Sequence, residues 1–282
     1  MRHDAHHERR TVGHVDAVEV DGLRIAYRRQ GSGDPLVILH GAFEDSRVWL
    51  DDMRRLSEHV DVIAWDAPGC GASDDIPAGW TSRDWGRVAA SFIRALGLSR
   101  PAVAGLSFGS IVALLLARDH PERVGGLVLI GAYAGWAGSL DPDALEERFA
   151  QARFMIEHPV EEWADEFLVS VYSPTADPAR RDRARRLLDD WRPETTRALL
   201  DVASLDLRSA LPSISTPVVV VRGSDDVRSP HEAAVSLCDR LPDARLVELD
   251  GAGHDCAGPD LDDVLVTAAH TAANLELREG YR

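Results

Sequence analysis

Residues Ala102-Val103-Ala104 lead into Gly105-Leu106-Ser107-Phe108-Gly109, which lead into Ile111-Val112-Ala113-Leu114-Leu115-Leu116. A short apolar run, a serine between two glycines and a longer apolar run read as strand, sharp turn and helix. Such a turn holds a serine hydroxyl out of the fold, at the mouth of a helix N-terminus. Glycine stands at both ends because side chains do not fit in so tight a turn. In a chain with this much glycine the five letters alone match by chance about 0.1 times. The strand before them and the helix after them give them weight.

The same rhythm recurs on either side. Val18-Glu19-Val20 and Leu23-Arg24-Ile25-Ala26-Tyr27 flank Asp21-Gly22, the signal of a two-residue hairpin turn. Residues 36–39 and 60–65 are apolar runs of strand length, with helical character between them over 47–56. Thr81-Ser82-Arg83-Asp84 has the form of a capping box. Behind it Trp85, Val88, Ala89, Phe92, Ile93 and Leu96 recur at helical spacing. Strand-like runs return at 102–104, 127–130, 218–221 and 246–249, each apolar on both faces. Strands alternating with helices predict an α/β fold, a mostly parallel sheet with helices on both faces. The rhythm breaks once, over 133–211, where helical stretches rich in Arg, Asp, Glu and large apolar residues replace any strand pattern. The expected organisation is a core made of 1–132 and 212–282, with a helical cap, or lid, over 133–211.

Composition narrows the function. The chain has 282 residues, 45% hydrophobic and 28% charged, with a net charge of −16. That charge opposes nucleic acid, anionic membranes and polyanionic substrates. There is no lysine, so Schiff-base chemistry and the phosphate-cradling Gly-Lys-Ser/Thr loop are excluded. Cys70, Cys238 and Cys256 are too few and too scattered for a disulfide framework or a thiolate metal site, which favours a reducing cytoplasm. The first fourteen residues are rich in His and Arg and have no apolar stretch, so they do not read as a signal peptide. His3, His6 and His7 there read as part of a polar tail rather than a metal site. No run reaches the ~18 apolar residues of a membrane span.

A serine nucleophile needs a base, an orienting acid and donors for an oxyanion, and ligand sites of such sheets gather at the strands' C-terminal ends. The base candidate is His254, in a glycine-rich loop just past the last apolar strand. His40 closes a strand and fits an ordinary buried histidine bonded to backbone. His120 marks a helix exit, and His231 lies in Ser229-Pro230-His231-Glu232, a second capping-box pattern. The acid candidate is Asp226, which follows the run over 218–221; adjacent Asp225 is not separated from it by spacing. The oxyanion donors are expected from the backbone N–H of Phe108 and from His40-Gly41-Ala42-Phe43, with Ala42 preferred and Phe43 the alternative.

Four motifs in order now resemble the α/β-hydrolase superfamily. They are His40-Gly41 after a strand, Asp66-Ala67-Pro68-Gly69-Cys70-Gly71-Ala72-Ser73 after the next, the turn at 105–109, and Gly251-Ala252-Gly253-His254 near the end. The resemblance runs from about 18 to 273, weakest in the cap. It implies Ser107 as nucleophile, His254 as base and Asp226 rather than Asp225 as acid, with Asp66 in a structural turn. Members similar to haloalkane dehalogenases and epoxide hydrolases carry aspartate where Ser107 stands. Carbon–carbon bond hydrolases commonly have Trp where Asp255 stands. The segment Asp206-Leu207-Arg208-Ser209-Ala210-Leu211-Pro212 is similar to that of oxoadipate enol-lactonases.

The expectation is a cofactor-free and metal-free serine hydrolase acting on a small-molecule ester or lactone, with an apolar acyl group of small to medium size. Phe43 and Phe108 are expected in the pocket wall. Trp136, Phe149, Phe154, Met155, Trp163, Phe167, Tyr172 and Trp191 are further cap candidates, most of them expected to pack cap helices together. The competing readings are a cofactor-free perhydrolase of haloperoxidase type and a ligand receptor on the same fold.

Overall fold

Strands β1 (Asp16–Val20) and β2 (Leu23–Gln30) pair antiparallel in a register that leaves only Asp21 and Gly22 in the turn. Both turn residues have positive φ, 51° and 85°, the conformation whose twist matches the flanking strands. The computed structural model describes residues 13–280. His3, His6 and His7 lie outside the described residues, as does most of the polar N-terminal stretch.

Six further strands complete one sheet: β3 (Pro35–Leu39), β4 (Asp61–Trp65), β5 (Ala102–Leu106), β6 (Gly126–Ile130), β7 (Val218–Gly223) and β8 (Ala244–Leu249). Their order is β1-β2-β4-β3-β5-β6-β7-β8. The β2 pairings are antiparallel and every pairing from β4 to β8 is parallel. Each parallel crossover therefore needs a connection across a sheet face, and the helices supply it.

The two sheet faces bury different halves of the alternating side chains. Val37, Leu39, Ile63, Trp65 and Val103 pack with α2 (Ser82–Ala95) and α3 (Phe108–Asp119). Leu36, Ile38, Val62, Ala64 and Ala104 pack with α1 (Leu50–Leu56) and the long α9 (Pro259–Gly280). The helical spacing behind Thr81 is why α2 forms. Trp85, Val88 and Phe92 fall on one face and are buried, each burial contributing about 1.5–3 kcal/mol. Asp84 accepts the backbone N–H of Thr81 at 2.8 Å, which starts the helix.

Between β6 and β7 the described chain runs through α4 (Pro142–Glu157), α5 (Ala164–Val171), α6 (Pro178–Asp189) and α7 (Pro193–Ala203), without a strand. Among the described residues no helix is long and apolar enough to cross a membrane.

Two local expectations are corrected. Residues 246–249 are not apolar on both faces: β8 is the sheet edge and turns Arg245 and Glu248 to solvent. The pattern at 229–232 is no capping box: α8 (His231–Arg240) starts after Pro230, and Ser229 Oγ donates to the Ala132 carbonyl at 2.9 Å. The 47–56 segment begins as a 3-10 turn, Ser46–Trp49, before it becomes α1.

Candidate active site

Ser107 joins β5 to α3 with φ 50° and ψ −109°. Such a conformation costs of order 1–3 kcal/mol for a residue with a side chain. Bonds on both sides hold it. Its N–H donates to the Ile130 carbonyl at 2.8 Å, and its carbonyl accepts the Ser110 N–H at 2.9 Å and the Ser110 hydroxyl at 2.6 Å. The glycines on either side are steric necessities. A Cβ on Gly105 would lie 2.3 Å from the Gly109 carbonyl oxygen, and one on Gly109 would lie 2.2 Å from that of Leu39.

His254 follows β8 and is buried. Its Nδ1 lies 2.9 Å from Asp226 Oδ2. A carboxylate only accepts, so Nδ1 carries the proton and Nε2 of the neutral ring keeps a lone pair. Nε2 is buried and has no partner among the described residues. Asp226 is fixed in turn, its Oδ1 accepting the N–H groups of Arg228 at 2.8 Å and Ser229 at 2.9 Å. Burial alone would raise its pKa, but His254 and these bonds outweigh burial and hold it below the usual carboxylate range. Asp225 is exposed and pairs with Ser224 instead. Of the two aspartates, the structure brings Asp226 to the imidazole.

The imidazole and Ser107 meet the same short segment. Leu106 pairs with Ile130, so Gly131 stands beside Ser107 at the ends of β5 and β6. Gly131 has φ +52°, and a Cβ there would lie 2.8 Å from the His254 ring. The turn serine, the imidazole and the carboxylate thus gather at the C-terminal rim of the sheet. No hydrogen bond joins Ser107 to Nε2; bonds of this kind are commonly long until substrate tightens them.

The loop after β3 lies at the same rim. Phe43 has φ 65°, and its ring is boxed by Trp163, Phe167 and Trp191 at centroid distances of 5.3, 5.0 and 4.7 Å. Among the described residues the N–H groups of Ala42, Phe43 and Phe108 meet no acceptor. Glu44 Oε2 accepts the Gly41 N–H at 3.0 Å and braces this loop. Burial, then the Asp255 charge, pushes the Glu44 pKa up to about 8.

The remaining candidates fall elsewhere. His40 is buried between the Gly41 carbonyl at 2.8 Å and the Ala67 N–H at 3.0 Å, so Nδ1 donates and Nε2 accepts. His120 caps the end of α3, and His231 lies at the surface near Glu248. Asp66 accepts the N–H groups of Ser46 and Ala72, as a turn residue does. Among the described residues no group of three or more His, Cys, Asp or Glu could hold a metal ion.

A cavity partly open to solvent reaches Ser107. Ala42, Phe43 and Phe108 line it. So do Trp136 and Met155 of the cap candidates. Trp163, Phe167 and Tyr172 instead form a buried cluster around Phe43. Phe149 packs on Trp136, and Phe154 is exposed and stacks on His158. Sequence reasoning missed Arg148, Thr196, Leu199 and Arg228 in the wall. Only the position of Arg228, two residues past Asp226, could have drawn attention to it.

The model of the alpha/beta hydrolase family matches residues 36–268. A 2-hydroxy-6-oxononadienedioate/2-hydroxy-6-oxononatrienedioate hydrolase of Burkholderia vietnamiensis is 30% identical over 264 residues, 88% of this chain and 91% of that protein. A pimeloyl-[acyl-carrier protein] methyl ester esterase of Nitrosomonas europaea is 31% identical over 233 residues, 79% of this chain and 90% of that protein. The solved structure of an enol-lactonase from Burkholderia xenovorans is similar in fold, with a TM-score of 0.78 and 22% identity, covering 92% of this chain and 100% of that one.

Proposed function

The chain belongs to the alpha/beta hydrolase family, and on that footing we propose that it is a serine hydrolase cleaving a carboxylic ester or lactone through an acyl-enzyme on Ser107. The observation that carries this reading is the buried Asp226–His254 bond at 2.9 Å beside the serine turn. It leaves Nε2 as a base with its lone pair free.

Ser107 attacks the carbonyl carbon while His254 Nε2 takes the hydroxyl proton. Asp226 holds the ring in that tautomer and stabilises the imidazolium. The backbone N–H groups of Phe108 and Ala42, with Phe43 the alternative to Ala42, bind the oxyanion, each lowering the barrier by about 3–4 kcal/mol. His254 then protonates the leaving alcohol. Water, deprotonated by the same nitrogen, releases the acid. The scheme requires no metal or organic cofactor.

Residues 133–211 act as a cap. Wall residues from α4 and α7, with Phe108 and Ile111 from α3, support an acyl group with an apolar skeleton of small to medium size. The three free cysteines support a cytoplasmic setting. No nucleic acid or membrane enters this reading.

The test is Ser107→Ala on a p-nitrophenyl ester, with a serine-reactive phosphonate on the wild type. Label on Ser107 and loss of nearly all turnover in the variant are expected. Equal turnover by variant and wild type would refute the mechanism.

A further inference from the structure

The cavity at Ser107 contains two guanidinium groups, Arg148 from α4 and Arg228 from the loop after β7. Carboxylates are not scarce in this chain, with 47 against 31 basic residues. Arg29, Arg47, Arg55 and Arg180 each hold one. Arg148 and Arg228 hold none among the described residues. Arg148 donates to the Tyr133 hydroxyl at 3.3 Å and to the Arg228 carbonyl at 3.2 Å. Arg228 donates from its side chain to Ser170 Oγ at 2.7 Å. All three acceptors are neutral.

The rest of their surroundings is aromatic. Arg148 lies 5.6 Å over the Trp136 ring and Arg228 lies 5.0 Å over Phe167. Burial pushes the Arg228 pKa down to about 10, and the Arg148 charge adds to that push. Asp226 offsets part of it, but that carboxylate is already bonded to His254 and two backbone N–H groups. Two like charges in one partly buried cavity destabilise each other unless an anion joins them. Tethering α5 through Ser170 uses one N–H of Arg228. A guanidinium carries five, in a planar fork that fits a carboxylate.

We infer that the substrate carries a carboxylate besides its ester or lactone carbonyl, and that Arg148 and Arg228 bind it while the apolar wall takes the carbon skeleton between. A purely apolar acyl group accounts for the wall but not for the two guanidinium groups. This inference rests on the serine-hydrolase reading of the same site.

The experiment compares monomethyl adipate with methyl hexanoate, the same acyl length with and without the charge, by methanol release. Wild type is expected to favour the anionic ester at least tenfold in kcat/KM. Arg148→Gln and Arg228→Gln are each expected to reduce that ratio at least tenfold, and Arg228→Lys less. Competitive inhibition by adipate but not by adipamide provides a readout on the wild type alone, should a variant fail to fold. Equal preference, preference for methyl hexanoate, or equal inhibition by adipamide overturns the inference and leaves the hydrolase reading standing. Failure to cleave either ester, with no phosphonate label on Ser107, sinks the hydrolase reading instead. Calorimetric binding of adipate, lost in Arg228→Gln, would then still support the arginine pair, and its absence would end it.

Discussion

Arg180 is the buried ion that joins α6 to the loop carrying His254. It sits in α6, is 5% exposed, and lies 5.0 Å over the Trp49 ring. Its Nε and Nη2 donate to the two oxygens of Asp255 at 2.6 and 2.8 Å, and Nη1 donates to Asp52 and, at 2.8 Å, to the Val48 carbonyl. Arg180→Met keeps most of the stem and deletes the charge. Asp52 retains Arg55 at 2.6 Å, but Asp255 loses the partner of both oxygens while remaining buried. Removing one side of such a pair costs about 3–5 kcal/mol, most of it the uncompensated charge. With a urea slope of about 3 kcal/mol per molar, the unfolding midpoint should fall by at least about 1 M. Tryptophan fluorescence in a urea titration measures this. Arg180→Met/Asp255→Asn should recover part of the loss, because the stranded charge is gone. A midpoint within about 0.3 M of wild type, or a double variant weaker than the single one, would refute this account.

Asp226→Asn should lower kcat by about 10⁴-fold by favouring the wrong tautomer, whereas Asp225→Asn should stay within a few-fold; steady-state kinetics on a p-nitrophenyl ester separates them. Gly131→Ala should cut kcat by at least ~100-fold, because its Cβ would lie 2.8 Å from the imidazole and displace it; a thermal melt should show only a modest stability loss beside that. Glu44 has its folded pKa raised, to about 8. Its contribution is therefore complete below the unfolded carboxyl value and is lost as pH rises through 8. The Glu44 contribution should fall over that window, from the unfolded carboxyl value up to about 8. Glu44→Gln, uncharged throughout, should flatten that fall in urea titrations at stepped pH. An unchanged slope would contradict a raised Glu44.

Much of the architecture was readable beforehand. Apolar runs at strand length between helical periods correspond to β3 through β7, and Asp21-Gly22 to the hairpin turn. These signals are local, set by backbone preferences and by which side chains avoid water. The edge character of β8 was not readable, since Leu246 and Leu249 look alike in the chain but only Leu249 is buried. The Ser229 pattern misled because Pro230, not Ser229, takes the cap position of α8, and the Ser229 hydroxyl donates to the carbonyl of Ala132, 97 positions away.

The site divides along the same line. Ser107, His254 and an aspartate at 225 or 226 announce themselves locally, because each sits where a strand ends and a tight or glycine-rich loop begins. Spacing could not separate the neighbouring carboxylates; the fold does so by aiming Asp226 at the imidazole and Asp225 at solvent. Nor does the chain advertise that Arg148 and Arg228 share a cavity with Ser107, that Glu44 braces Gly41, or that Arg180 clamps Asp255. Short-range patterns fix which elements form and where each ends. Which charges face one another depends on packing between segments tens of residues apart, and no local pattern encodes that.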